Sequence, residues 1–384
     1  MAQLSMKKGL FVSLFSLVGC LGLLALLEVG LRVFGFEYPP SDDPIAIWNA
    51  DEDRGLRLGR GLHRVAARQL WEPRPKALLP LAWTGDPEHV NSAGYRGPLR
   101  REEKTPGVLR IATMGDSSTF GFGVPYADTY SAQLEASLNA AGLRAEVLDF
   151  GVIGYTLLQG IERYKARVRD YHPDVVIEAF GAVNDHHVAQ GLQDTPKIAQ
   201  SSSDEGALAV LGRRARENLR LFHLLARGLD SMHREDPAQR EEQDRRAVLI
   251  NASLSHVGEL DFEENWHAER RVPPQEFEAA LGELKKLVEA DGASLLVVSM
   301  PRRPGVDMVA PVLRSYSAIV VDFCKATGNP LYDGRSDFRD YRAIEHGDPY
   351  LFFIDGDDYH PSKRGHARIA RRLCEMLIEM RGPH

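Results

Sequence analysis

Three places in this chain carry residue types that can do acyl chemistry. The apolar run Val108–Met114 is cut off by Gly115-Asp116-Ser117, and Thr119, Gly121 and Gly123 follow within the same short turn. A serine hydroxyl near neutral pH is a poor nucleophile and needs a base within hydrogen-bond reach. Histidine is the natural base, because its unperturbed pKa lies close to physiological pH, and a carboxylate beside it would fix the tautomer and stabilise the imidazolium. Asp-x-x-His occurs three times, at Asp86–His89, Asp230–His233 and Asp357–His360. Only the last follows the final strand-like region and precedes the final helical pattern. Asp230–His233 lies in a charged helical stretch and reads as a solvated face. The Gly-Asp-Ser triplet taken alone reads as an ordinary strand-to-helix turn. The segments around it decide otherwise.

Those segments are short apolar strands that end in glycine-bearing turns. Val147-Leu148-Asp149-Phe150-Gly151 is one, continuing through Val152-Ile153-Gly154-Tyr155, and Asp174–Phe180 followed by Gly181-Ala182-Val183-Asn184-Asp185 is another. Helical spacing follows the first two strands at Thr129–Leu143 and Thr156–Arg169. Pro273–Ala290 is a further helix, leading into a strand at Ser294–Met300, and a last helix runs from about Ser362 to Met380. In an open α/β sheet the chemistry sits outside the carboxyl ends of the strands, which is where Ser117 would lie.

In order and content, these four segments resemble the sequence blocks of the SGNH (GDSL-type) hydrolase superfamily, membrane-anchored bacterial members included. The likeness runs from about Val90 to the C-terminus, with a divergent stretch near 190–270. It implies an α/β fold, a flavodoxin-like three-layer sandwich around a mostly parallel five-stranded sheet. It also implies ester hydrolysis through Ser117, His360 and Asp357, with an oxyanion hole formed by Ser117 and Gly151 N–H groups and the Asn184 side chain. No metal or other cofactor is implied. One departure is that Gly181 stands three residues before Asn184 where the superfamily has two, which puts that loop's geometry in question. No Gly-x-Ser-x-Gly elbow surrounds Ser117, which argues against an α/β-hydrolase. Two other functions use the same residues less well. An O-acyltransferase acting on an exported polysaccharide usually carries its Asp-His pair upstream of the serine, and a surface binding module would need none of the catalytic positions.

Gly9–Leu27 is an uncharged apolar run, about 28 Å as a helix and so close to a hydrocarbon core of ~30 Å. Lys7 and Lys8 precede it, so the positive-inside rule keeps the N-terminus cytoplasmic and places the rest outside. This predicts a single-pass anchor over residues 1–35 and an extracytoplasmic catalytic domain. The rivals are a cleaved signal peptide, which lacks a small-x-small site after the run, and lipidation at Cys20, after which the chain stays apolar for too long. Glu28 and Arg32 should pair at the helix exit. Residues 36–107 read as a stalk packed back on the domain, Tyr38–Trp83 having no clean period, while Val90–Gly97 resembles a segment found upstream in membrane-anchored members of that superfamily, with an exposed turn as the alternative. Residues 108–384 read as the hydrolase domain. Its stretch at about 190–270 reads as a helical insertion above the active-site end, with Leu221–Leu229 its strongly apolar part.

Composition narrows the partners. The net charge of −7 and the lack of a basic run exclude nucleic acid as an expected partner, leaving a small-molecule or glycan ester and the membrane. Thirteen histidines are scattered without Cys/His ligand spacing, and His186-His187 reads as loop surface or pocket rim. Arg302 and Arg303 read as a solvated loop or as groups facing an anionic substrate. Three cysteines make no disulfide framework, and Cys324 and Cys374 should lie on opposite faces of the sheet. The sequence leaves the oligomeric state open.

Overall fold

The structure is a computed structural model and describes residues 2–36, 38, 62–181, 183–187, 189, 192–202, 211–212, 215–216, 218–232, 269–304, 306, 311–344 and 351–381. Within the remainder fall most of the expected stalk before residue 62, residues 233–261 of the expected insertion and His233 of the second Asp-x-x-His pair. The chain divides into two compact units.

The larger unit is built on five parallel strands: β3 (Leu109–Gly115), β4 (Ala145–Asp149), β5 (Val175–Ala179), β6 (Ser294–Ser299) and β7 (Leu331–Asp333). Their spatial order is β4-β3-β5-β6-β7. Counted within the sheet this is 2-1-3-4-5, the flavodoxin-like order. Every residue of β3 and β5 is buried, which is why both read as continuous apolar runs: a parallel sheet is covered on both faces. On one face lie α3 (Tyr130–Ala140), α9 (Gly334–Ile344) and α10 (Lys363–Arg381), which bury Tyr130, Leu134, Phe338, Ile369 and Leu373 against Ile111, Ile177 and Val298. The other face is covered by α4 (Leu157–Ala166), α7 (Pro274–Ala290) and α8 (Pro311–Thr327), which bury Ile161, Phe277, Leu281 and Tyr316 against Ala112, Val176 and Leu295. Cys324 sits in this second cluster and Cys374 in the first, so the sheet separates them, and both thiols are free.

The stretch before β3 is more ordered than its composition suggested. An antiparallel hairpin, β1 (His63–Ala66) and β2 (Leu70–Pro73), pairs Val65 with Trp71, and all of β2 is buried. For residues 90–97 the alternative of an exposed turn fails. Val90, Tyr95 and Arg96 are buried, and Tyr95 packs at 5.0 Å from Phe150. The segment is held by glycines at both ends of the turn. Gly97 has φ +98°, and a side chain there would run into Tyr126.

The smaller unit contains α1 (Ala2–Val33) and α6 (Arg220–Met232), which pack on one another. Among the described residues, one helix is long and apolar enough to cross a membrane: Phe15–Val33 of α1, 19 residues with mean hydropathy 1.9 and none of it buried within the structure. This window lies further along the chain than the charge-free run and takes in Glu28 and Arg32, which pair at 2.7 Å as their spacing suggested. Helices do occupy the expected insertion, as α5 (Asp194–Ser202) and α6. They belong to different units, α5 to the sheet unit and α6 to the unit of α1.

Candidate active site

Ser117 is the first residue of α2 (Ser117–Phe120), a single turn starting where β3 ends. Asp116 caps that turn by accepting the Ser118 N–H at 2.9 Å, and the first N–H of the helix, that of Ser117, has no intrahelical partner. Gly115 is obligatory for this geometry, since a Cβ there would lie 2.0 Å from Thr119 Oγ1. Arg96 finishes the turn. Its guanidinium donates to the carbonyls of Phe120 (2.6 Å), Gly121 (2.8 Å) and Val124 (2.7 Å) and pairs with Glu88 at 2.8 Å. The peptide groups that aim Ser117 are therefore held by an arginine from the N-terminal extension. Sequence reasoning missed this role, although an arginine bounded by two glycines was a usable signal.

His360 comes from the loop before α10. Its Nε2 lies 2.8 Å from Ser117 Oγ, and its Nδ1 lies 2.6 Å from Asp357 Oδ2. The other carboxylate oxygen of Asp357 accepts the N–H groups of Tyr359 and His360, each at 2.8 Å. This local turn fixes the pair, and Phe122 packs its ring 4.8 Å from the imidazole. Burial opposes protonation of His360, but the Asp357 charge and hydrogen bond, helped by the Asp116 charge, outweigh it and raise its pKa above the usual value. For Asp357, burial is likewise outweighed by the His360 charge and by hydrogen bonds from the His360 ring and the His360 and Tyr359 N–H groups, which hold its pKa below the ordinary aspartate value.

The loop after β5 carries Asn184 into the same place. Its side-chain Nδ2 donates to Asp116 Oδ2 at 3.1 Å, so the extra residue after Gly181 does not turn it away. Asp185 ties that loop down by accepting the N–H groups of Gly181 (2.9 Å) and Leu157 (2.8 Å). Burial pushes the Asp185 carboxyl up to about 7 against those bonds and the Arg271 charge. Asp116, also buried, is raised despite its bonds from Ser118 and Asn184 and the His360 charge.

Gly151 belongs to the same region, after β4, but its N–H donates to Asp149 Oδ1 at 2.9 Å. A Cβ at Gly151 would lie 2.3 Å from the Phe120 nitrogen, so glycine is needed there for the loop to touch the Ser117 turn. The next turn of this loop holds Gly154 at φ +78°. The peptides on both sides of it are held: Trp71 Nε1 donates to the Ile153 carbonyl at 3.1 Å, and Arg271 Nη1 donates to the Gly154 carbonyl at 2.9 Å.

The remaining candidates lie elsewhere or do other work. Asp86 and His89 are exposed, with His89 in a backbone bridge to Leu78. Arg302 and Arg303 form neither a solvated loop nor an open anion site. Arg302 is buried and donates to Ser317 Oγ at 2.5 Å, and Arg303 pairs with Asp358, beside the candidate acid. His186 is fully buried, 6.0 Å from the Tyr316 ring, rather than on a rim, while His187 is half-buried.

This arrangement can move a proton from a serine hydroxyl to an imidazole and steady the resulting charge. The model of the GDSL-like Lipase/Acylhydrolase family matches residues 113–368, which takes in all three loops and the Asp357–His360 turn. Among solved structures, an acetyl xylan esterase, AlAXEase, is similar at 14% identity and TM-score 0.43, over 70% of this chain and 100% of that one. The acetylxylan esterase Axe2 from Geobacillus stearothermophilus is similar at 16% identity and TM-score 0.41, over 69% of this chain and 94% of that one. A lipase/acylhydrolase from Enterococcus faecalis is similar at 13% identity and TM-score 0.41, over 70% and 94%. No curated protein matches the chain.

Proposed function

Since the chain belongs to the GDSL-like lipase/acylhydrolase family and is an ester hydrolase, we propose that it works by covalent catalysis with Ser117 as nucleophile, His360 as base and Asp357 as orienter. The observation that carries this reading is the continuous relay from Ser117 Oγ through His360 to Asp357, both contacts within hydrogen-bond range. Ser117 Oγ attacks the acyl carbon as its proton passes to His360 Nε2. The imidazolium then returns that proton to the departing alcohol, leaving an acyl-serine. Water attacks the acyl group by the same route in reverse, and the free acid leaves. Asp357 stays ionised throughout, and its lowered pKa suits that task.

The charge on the tetrahedral oxygen needs donors that are already in place. Ser117 N–H and Asn184 Nδ2 suit this role. Asn184 keeps its second amide hydrogen after donating to Asp116. The sequence offered Gly151 as the third donor, yet its N–H is engaged by Asp149. We assign the third donor to Gly154, whose N–H has no partner among the described residues. The N–H of a trans peptide points away from its carbonyl, so the Trp71 bond to Ile153 O aims the Gly154 N–H forward.

The substrate class we propose is an O-acyl ester outside the cytoplasm, either a carbohydrate O-acetyl group or a lipid ester. Its basis is the apolar helix α1 behind Lys7 and Lys8, read as an anchor that exports the hydrolase domain. A fluorophosphonate probe should label the wild-type protein and leave Ser117→Ala unlabelled, whereas labelling that persists would remove Ser117 from the mechanism. Acyl-nitrophenyl esters of increasing chain length then separate acetyl from lipid specificity. Protease added to right-side-out vesicles should digest the hydrolase domain, and full protection would reverse the topology.

A further inference from the structure

Helix α6 is amphipathic in an unusual sense: its polar side faces its own chain and its apolar side faces out. The N-terminus of α6 is pinned to α1. Glu28 accepts the N–H groups of Arg220 (3.0 Å) and Leu221 (2.9 Å), and Arg32 donates to the Asn218 carbonyl at 2.7 Å. A carboxylate at this end satisfies N–H groups that no helix can pair internally and complements the helix dipole. On the polar side, His223 is buried and its Nδ1 accepts the Tyr38 N–H at 3.1 Å, while Arg227 lies 5.7 Å from the Phe36 ring. The chain leaving α1 therefore covers this side.

The opposite side carries Phe222, Leu225 and Leu229, spaced so that they share one face of the helix, with Leu225 62% and Leu229 59% exposed. Large apolar side chains held in water forgo the free energy that their burial would supply. The same unit exposes the apolar side chains of α1, among them Leu21, Leu24 and Leu27. Arg216 and Arg227 are exposed and Arg220 is half-buried, and all three lie on the side of the helix opposite the apolar face.

The geometry points to α6 as an interfacial membrane helix. It lies in the bilayer surface where α1 emerges, with Phe222, Leu225 and Leu229 at the acyl boundary and Arg216, Arg220 and Arg227 on the opposite, aqueous side. Two observations choose a lipid surface as the occupant. The face is tied at Glu28 and Arg32 to the exit end of the candidate span, which is the depth at which an amphipathic helix settles. The candidate span in the same unit leaves its own apolar side chains exposed, so one lipid phase would cover both. The proposal rests on the reading of α1 as an uncleaved anchor. On that reading Glu28 and Arg32 are the joint between the anchor and its surface helix.

The test uses the full-length chain with Cys20→Ser, reconstituted in vesicles of phosphatidylethanolamine and phosphatidylglycerol. Cys324 and Cys374 are buried, so a single introduced cysteine takes an environment-sensitive fluorophore. Probes at Leu225→Cys and Leu229→Cys should lose about half their emission to shallow doxyl-labelled lipid and resist aqueous iodide, while Arg216→Cys responds mainly to iodide. Probes at 225 and 229 quenched by iodide as strongly as the one at 216 would overturn the proposal. A probe at Leu24→Cys separates the two readings. If it is lipid-quenched while 225 and 229 are not, only the interfacial helix fails; if it too is in water, the anchor fails and the proposal with it. Oxidation of Leu225→Cys to a disulfide-linked dimer as the main species would give this face to a second copy and also overturn the lipid assignment.

Discussion

Replacing Asp357 by asparagine tests the relay at its most sensitive joint. In the native site one oxygen of Asp357 is committed to the Tyr359 and His360 N–H groups, so the other must face His360 Nδ1, 2.6 Å away. Asparagine would keep its oxygen on the two backbone donors and turn its NH₂ group toward Nδ1. The imidazole must then accept at Nδ1 and carry its proton on Nε2, the atom that has to take the Ser117 proton. The wrong tautomer should lower kcat by about a thousandfold to ten-thousandfold, or roughly 4–5.5 kcal/mol of barrier, with KM changed much less. A second readout follows from charge. His360 is the base only when neutral, and the Asp357 carboxylate helps to raise its pKa, so the rising limb of kcat/KM against pH should lie above the ordinary histidine value. In Asp357→Asn the opposing effect of burial gains ground and the limb should move to lower pH. Steady-state hydrolysis of nitrophenyl acetate across pH measures both effects. A loss under about tenfold, or a limb that does not move, would refute the assigned role.

Other outcomes are expected. Asn184→Ala should cut kcat by roughly 100-fold with KM little changed, and a loss of only a few-fold would place Asn184 outside the oxyanion hole. Trp71→Phe keeps the ring but deletes the donor to the Ile153 carbonyl, so kcat should drop by about tenfold at near-constant KM. An unchanged kcat would detach the hairpin from the site. Glu178 is fully buried on β5, and burial pushes its carboxyl up to about 8 from 4.5 although it accepts the Phe180 N–H. A carboxyl raised in the folded state contributes its stability below the unfolded pKa and loses it as pH rises through the folded one, on the order of several kcal/mol in all. Melting temperature should therefore fall between about pH 5 and 8, and Glu178→Gln, which keeps the acceptor without the proton equilibrium, should flatten that slope. An equal slope in the variant would assign the loss to other groups.

What could be read from the sequence was whatever short stretches of chain decide for themselves. A strand buried on both faces must be apolar throughout, so β3 and β5 announced themselves. The turn that carries Ser117 was legible because Gly115 and Gly121 answer to local crowding and to a left-handed backbone. Asp357 and His360 are three residues apart, so their contact is almost a property of one turn. Ser117 and His360 are 243 positions apart, and only the layering of α10 beside α3 brings them within 2.8 Å. The donors behind the site were hidden for the same reason. Trp71 and Arg96 act on peptide groups of distant loops, and a carbonyl leaves no mark in the residue type that bears it. The proposed shift from Gly151 to Gly154 rests on one N–H, that of Gly151, which Asp149 accepts. Leu221–Leu229 was recognisably apolar from the sequence. Which side of that helix would be covered was set by Glu28, Phe36 and Tyr38, nearly two hundred residues earlier in the chain, because burial depends on what the tertiary structure brings alongside.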